Sequence, residues 1–364
     1  MKRTFIPILL LTLLLTSVVA ACGANDVQEQ VSGDGQDEEV DETTEENEPD
    51  EGEGEEASEI SGSLSFYTSQ PDEDAEALVK GFNDQYPDVD VSIFRSGTEE
   101  VISRLLAENE AGSVQADVLL VADAVTFEGL KEDDLLMSYE SPEIDGIPDE
   151  FIDPEFTYTG TKIMATILAI NTNIVEENPT SWSALISEEA EGEVIMPSPI
   201  YSGAAAYNAG VFSRTDEFGW DFFEELHENE ATVVQGNGGV LQSVAGGEHA
   251  YGMVVDFIVA NAKEEGSPID LVYPEEGVPV ITEPIGIMEG TQNEESAKAF
   301  VDFVLSEEGQ ALSVDIGYTP IREGIEPPPG LRSVDELNVL SSDLADLLET
   351  RDSDKERFRN IFGD

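Results

Sequence analysis

Ser202-Gly203-Ala204 and Gln235-Gly236-Asn237-Gly238-Gly239 are the two stretches of this 364-residue chain best suited to hold an anion. Each is a small-residue turn between a strand-like run and a helical one. Val194-Ile195-Met196 precedes the first and Thr232–Val234 the second. Ser202 is a natural N-cap, and Gly203 and Ala204 leave backbone N–H groups uncovered at the helix start. Free N–H donors and the positive end of the helix dipole attract phosphoryl or carboxylate groups. One such turn alone also fits an ordinary capped helix. Two in one half of the chain can face a single anion.

Other side chains could complete a site around it. Asp256 stands in the otherwise apolar run Tyr251–Ile258, where an unpaired charge is costly. It is expected either to accept hydrogen bonds from ligand hydroxyl or amino groups, or to sit in an internal salt bridge. Glu283, just before Pro284, carries the same two expectations. Arg95 could close on the anion, bidentate where geometry allows, or lie solvated at a strand end. An enzyme reading finds little chemistry. The only histidines are His227 and His249, and His-Glu-x-x-His, nucleophile-elbow, P-loop and cysteine-pair motifs are all missing. The expectation is a binding protein and not an enzyme, without cofactor or resident metal. A phosphate-ester hydrolase built on paired carboxylates is a distant alternative.

The elements that must position these residues follow an α/β pattern. Ser63–Tyr67 alternates like a strand, and Asp72–Tyr86 has apolar residues at helical spacing. Val89–Phe94 reads as strand, Thr98–Ala111 as helix and Asp117–Val121 as buried strand, which together predict a parallel sheet. Ligands of open α/β sheets bind beyond the carboxyl ends of the strands. Those ends are Thr68-Ser69, Arg95-Ser96-Gly97 and Ala122-Asp123, although each is also plain turn chemistry. Later come a strand over Ile163–Asn171 and a buried strand over Tyr251–Ile258, interrupted by one carboxylate, Asp256. Val278–Ile281 is broken by Thr282-Glu283-Pro284 and resumes at Ile285–Met288. Helical spacing returns over Ser296–Leu305, and a charged helical tail runs to Phe362.

Residues 1–21 read as a signal peptide, with Lys2-Arg3 before an apolar run that is short for a membrane span. Asn25–Ile60 holds 17 of the 80 acidic residues and no Lys or Arg, a composition that stays unfolded and extended. The rest, from Ser61, has 63 acidic residues against 14 basic ones, a net of −49. Nucleic acid and anionic lipid surfaces are poor partners for it. At about 1 M salt the screening length falls to about 3 Å and self-repulsion largely disappears. The composition resembles that of proteins from salt-loving organisms; carboxylates collecting a metal are the rival reading.

Val19-Ala20-Ala21-Cys22 resembles a bacterial lipobox, which implies cleavage before Cys22 and acylation of this sole cysteine. With two α/β regions behind an acidic spacer, the chain resembles an extracellular solute-binding lipoprotein of a bacterial ABC importer. More narrowly it resembles the branch binding ferric ion, hexose phosphates and aminoethylphosphonate. The residues carrying the likeness are Asp117-Val118-Leu119 with Asp123, Ser202-Gly203-Ala204, Gly236-Asn237, Glu283-Pro284, Ala297–Gly309 and Arg357–Phe362. The resemblance implies the two-lobed type II periplasmic-binding-protein fold. Residues 22–61 would be anchor and spacer, 62–166 with 284–317 the first lobe, and 167–283 with 318–364 the second. It implies a monomer, anchored outside the cell membrane by lipid alone, that hands a small anionic solute to permease subunits. A sugar phosphate or phosphonate is expected. Val255-Asp256 stands where ferric-binding members pair tyrosines, so a ferric protein with phosphate or carbonate as co-ligand is the alternative. The expected ligand set is Ser69, Arg95, Ser96, Gly97, Asp123, Ser202, Gly203, Ala204, Asn237, Asp256 and Glu283.

Overall fold

A computed structural model describes residues 60–363. The leader, Cys22 and nearly all of the acidic spacer lie outside the described residues. The fold begins with β1 (Gly62–Thr68), α1 (Asp72–Gln85), β2 (Val89–Arg95), α2 (Thr98–Glu110), β3 (Val118–Leu120) and α3 (Ala124–Glu132). β1 pairs in parallel with β2 on one side and β3 on the other. α1 buries Ala75, Leu78 and Phe82 against the sheet, and Asp72, Glu73 and Asp74 sit in its first turn, where the dipole favours them.

After the short β4 (Leu136–Met137) comes β5 (Thr159–Asn171), buried along all 13 residues. It serves two sheets. Up to Ala165 it pairs with β10 (Val278–Met288), and from Thr166 it pairs with β8 (Tyr251–Val255) and β9 (Ile269–Val272). Between β5 and β10 the chain lays down β6 (Val194–Pro197), α4 (Gly203–Arg214), α5 (Gly219–Glu228), β7 (Thr232–Val234), α6 (Asn237–Gly246) and, after β8, α7 (Asp256–Glu264). β6 pairs in parallel with β7 and β8. β10 then returns antiparallel to β3, followed by α8 (Glu294–Leu305), α9 (Glu307–Ile316), β11 (Thr319–Pro320), β12 (Val339–Leu340) and α10 (Leu344–Phe362). The strand order β2-β1-β3-β10-β5-β8-β6-β7 is thus one curled, mixed sheet serving two lobes.

Three differences from the sequence reading have physical causes. The first sheet is mixed, because β10 inserts antiparallel between β3 and β5. The expected break at Thr282-Glu283-Pro284 is only a register shift within β10, since its neighbours pair on both sides of the proline. The apolar run from Tyr251 stops being strand at Val255. Asp256 opens α7 instead, as its carboxylate accepts the backbone N–H of Phe257 at 2.9 Å.

Candidate functional site

Two sets of three parallel strands run in opposite directions. Their carboxyl ends converge on β5, where β3 ends at the level of Thr159 and β8 at that of Thr166. From the first sheet these are β1, β2 and β3, which lead into α1, α2 and α3. From the second they are β6, β7 and β8, which lead into α4, α6 and α7. Local chemistry explains the helix starts. The Ser202 hydroxyl oxygen accepts the Ala205 N–H at 3.2 Å, and the Asp123 carboxylate accepts the Thr126 N–H at 2.9 Å. By helix geometry, the N–H groups of the first turn beyond such a cap have no partner within their own helix.

The two walls meet at the start of α4. The Glu99 N–H donates to the Tyr201 carbonyl at 3.4 Å across the gap. A Cβ at Gly97 would stand 2.9 Å from that same carbonyl oxygen. A Cβ at Gly203 would stand 2.3 Å from the Ala122 carbonyl oxygen and 2.9 Å from Thr98 Cγ2. Beneath this contact lies a shared apolar patch that includes Ala122 and Val125 from one wall, Ala204, Tyr207 and Val211 from the other, and Tyr318. Burial and the Asp123 charge push the Tyr207 hydroxyl up to about 12, so it stays a proton donor at neutral pH.

The structure therefore brings together Gly97, Asp123, Ser202, Gly203 and Ala204. Ser69 joins them, its hydroxyl oxygen accepting the Ala122 N–H at 3.4 Å. Ser96 is turned to Glu100 at 2.6 Å. Asn237 begins α6, and its side-chain oxygen accepts the Val255 N–H at 3.4 Å, which ties two strand ends of the second wall.

The charged candidates are already engaged. Arg95 Nε donates to the Gln70 carbonyl at 2.7 Å and leaves the rest of an exposed side chain in solvent. Asp123, 1% exposed, faces Arg351 at 3.0 Å. Asp256 accepts from the Ala165 N–H at 3.1 Å and the Tyr273 hydroxyl at 3.0 Å besides Phe257, with no salt bridge. Burial raises its carboxyl to about 6 against the pull of those donors. Glu283 sits 2.5 Å from Lys162 Nζ, both side chains at or below 5% exposure. Burial pushes the Glu283 carboxyl up and Lys162 pulls it back. Both carboxylates thus meet protein donors, which offset part of the cost of burying them.

Sequence reasoning missed Lys162, Gln70, Tyr318 and Arg351. The Lys162 ammonium lies over the Tyr318 ring at 4.7 Å, Tyr318 donates to Asp74 at 2.6 Å, and Gln70, buried beside them in the chain after β1, accepts from Arg95 through its carbonyl. A lone lysine beside an apolar strand was the available signal. Among the described residues, no group of three or more His, Cys, Asp or Glu side chains is placed to hold a metal ion.

A family model described as bacterial extracellular solute-binding protein matches residues 77–335. An uncharacterized protein of Haemophilus influenzae is 29% identical over 263 residues, covering 69% of this chain and 75% of its own length. A probable ABC transporter periplasmic-binding protein of Sinorhizobium fredii is 25% identical over 244 residues, covering 64% and 67%. The periplasmic binding protein AfuA from Actinobacillus pleuropneumoniae, solved with exogenous fructose-6-phosphate bound, superposes with a TM-score of 0.76 and 27% identity, covering 83% of this chain and 99% of that one. Iron-bound HitA from Pseudomonas aeruginosa shares the fold, with a TM-score of 0.73, 23% identity, and coverage of 82% and 99%.

Proposed function

The chain belongs to the bacterial extracellular solute-binding proteins of ABC importers, and from that premise we propose that its solute is a small phosphorylated molecule such as a hexose phosphate or a phosphonate. The observation that carries this reading is the meeting of helix starts α2 and α3 from one wall with α4 from the other at Gly203. Neutral N–H donors and helix dipoles hold a phosphoryl group without needing a basic surface. That matters in a folded part with net charge −49. The likeness to the fructose-6-phosphate-bound relative supports the same class. In this reading Ser202, Gly203 and Ala204 hold the phosphoryl group, with Ser69, Gly97 and Asn237 beside it. Asp123, Asp256 and Glu283 shape the walls through their protein partners.

The test is calorimetric titration with fructose 6-phosphate, fructose and inorganic phosphate. Binding of the phosphate ester with no binding of fructose is the expected result. Ser202→Ala should weaken the ester by about 1.5–3 kcal/mol, the range for a hydrogen bond to a charged group. Equal affinity for fructose and its phosphate would end the proposal.

We further propose that acylated Cys22 tethers the protein outside the membrane as a monomer, and that the acidic composition adapts it to brine. Its melting temperature should then climb between about 0.1 M and about 2 M potassium chloride as the charges are screened. A flat melting temperature over that interval would rule out the brine reading.

A further inference from the structure

The C-terminal helix α10 touches both walls with different chemistry. Toward α4 and α5 it is anchored by apolar packing. Phe358, 1% exposed, lies against Phe223 at 5.8 Å and stacks on Phe362 at 4.6 Å. Leu347 fills the space over Gly210, where a Cβ would come within 2.6 Å of it. Asp354 adds an ion pair to Arg214 at 2.9 Å.

Toward α2 and α3 the attachment is mainly ionic. Arg351 Nη1 reaches the Asp123 carboxylate at 3.0 Å, while Nη2 reaches Glu99 at 3.1 Å and the Thr126 hydroxyl at 3.2 Å. Lys355, one turn on, takes the other Glu99 oxygen at 2.5 Å. Glu99 lies in the first turn of α2 and Asp123 caps α3, so two cations of one helix grip the starts of two others. On this side Leu348 lies near Gly129, and Leu347 also joins the apolar patch that holds Ala122 and Val125.

We propose that α10 is a latch between the lobes, fixed to the second and released from the first, with Arg351 as the residue that positions the first wall. Opening the site separates Glu99 from Tyr201 and Ala122 from Gly203, so one attachment of α10 has to give. Ion pairs can be replaced by water and counterions, whereas exposing Phe358, which packs only in the core of the second lobe, has no such compensation. The Arg351 guanidinium suits the role because its rigid planar fork fixes the directions of the bonds to both carboxylates, whereas a lysine offers a compact point charge on a flexible stem. The two cations also neutralise Glu99 and Asp123 beside the point where an anion would enter.

The test needs no ligand. Amide hydrogen exchange is followed by mass spectrometry on the whole protein in molar potassium chloride. Arg351→Met combined with Asp123→Asn removes the fork without leaving a buried charge unpaired. Lys355→Gln is a milder second variant. Both should speed exchange in segments 97–105 and 198–208, the double variant by about tenfold or more, while β5 keeps its rate, as expected for a local opening. Arg351→Lys should fall between the double variant and the parent. Unchanged exchange in both segments, or equal acceleration throughout including β5, would overturn the latch.

Discussion

Lys162→Met will destabilise the fold by about 3–5 kcal/mol, the range for stranding one partner of a buried ion pair. The lysine is 2% exposed and its ammonium lies 2.5 Å from Glu283, itself 3% exposed. Without the ammonium, the Glu283 carboxylate has to ionise in a site where burial already pushes its carboxyl up. It will take a proton instead, so the loss depends on pH. An acid whose folded-state pKa lies above its unfolded value favours the folded state most at low pH, and that contribution fades as pH rises toward the folded pKa. Lys162→Met should therefore be less damaging at pH 5 than at pH 7. The double variant Lys162→Met/Glu283→Gln should recover much of the loss, since no buried charge remains. Urea denaturation in constant molar potassium chloride measures all three proteins. A single variant within about 1 kcal/mol of the parent, or a double variant no better than the single, would show that the pair does not matter as argued.

Whether a feature could be read in the sequence depended on how local its cause is. α1 was expected over Asp72–Tyr86 and runs Asp72–Gln85, because helical spacing and acidic first-turn residues lie within one segment. The cap at Ser202 was equally accessible, a side chain meeting a backbone N–H three residues on. Asp123 makes the same local contact with Thr126, although its place at a strand end had suggested a ligand instead. Asp256 was misplaced as a strand residue. Its reason for starting a helix is half local, in Phe257, and half remote, in Ala165 and Tyr273. Arg351 gave no sign of its role, since its partner Asp123 lies 228 residues earlier. Lys162 and Glu283 stand on adjacent strands that only the return of β10 brings together. Order and spacing of motifs thus conveyed the two-lobed fold, while the partners of buried charges required the assembled sheet.

Gly203→Ala will separate closing of the site from stability of the fold. Glycine to alanine inside a helix ordinarily gains up to about 1 kcal/mol in stability. Here the new methyl would stand 2.3 Å from the Ala122 carbonyl oxygen, a backbone atom of the opposite wall that cannot rotate aside. Relieving such a clash costs about 1–3 kcal/mol, charged only to the closed arrangement of the walls. At 1.4 kcal/mol per tenfold, affinity for the solute should fall about 5- to 150-fold. The melting temperature should hold or rise. Gly246→Ala is the control, because a Cβ there meets nothing within 4 Å. Titration with fructose 6-phosphate reads the affinity, and amide exchange at Glu99, whose N–H crosses to Tyr201, reads the wall contact without any ligand. Faster exchange at Glu99 with weaker binding and an intact melting temperature is the expected result. If exchange and affinity both stay at the control's values, the approach of Gly203 to Ala122 is not how the walls close on the solute.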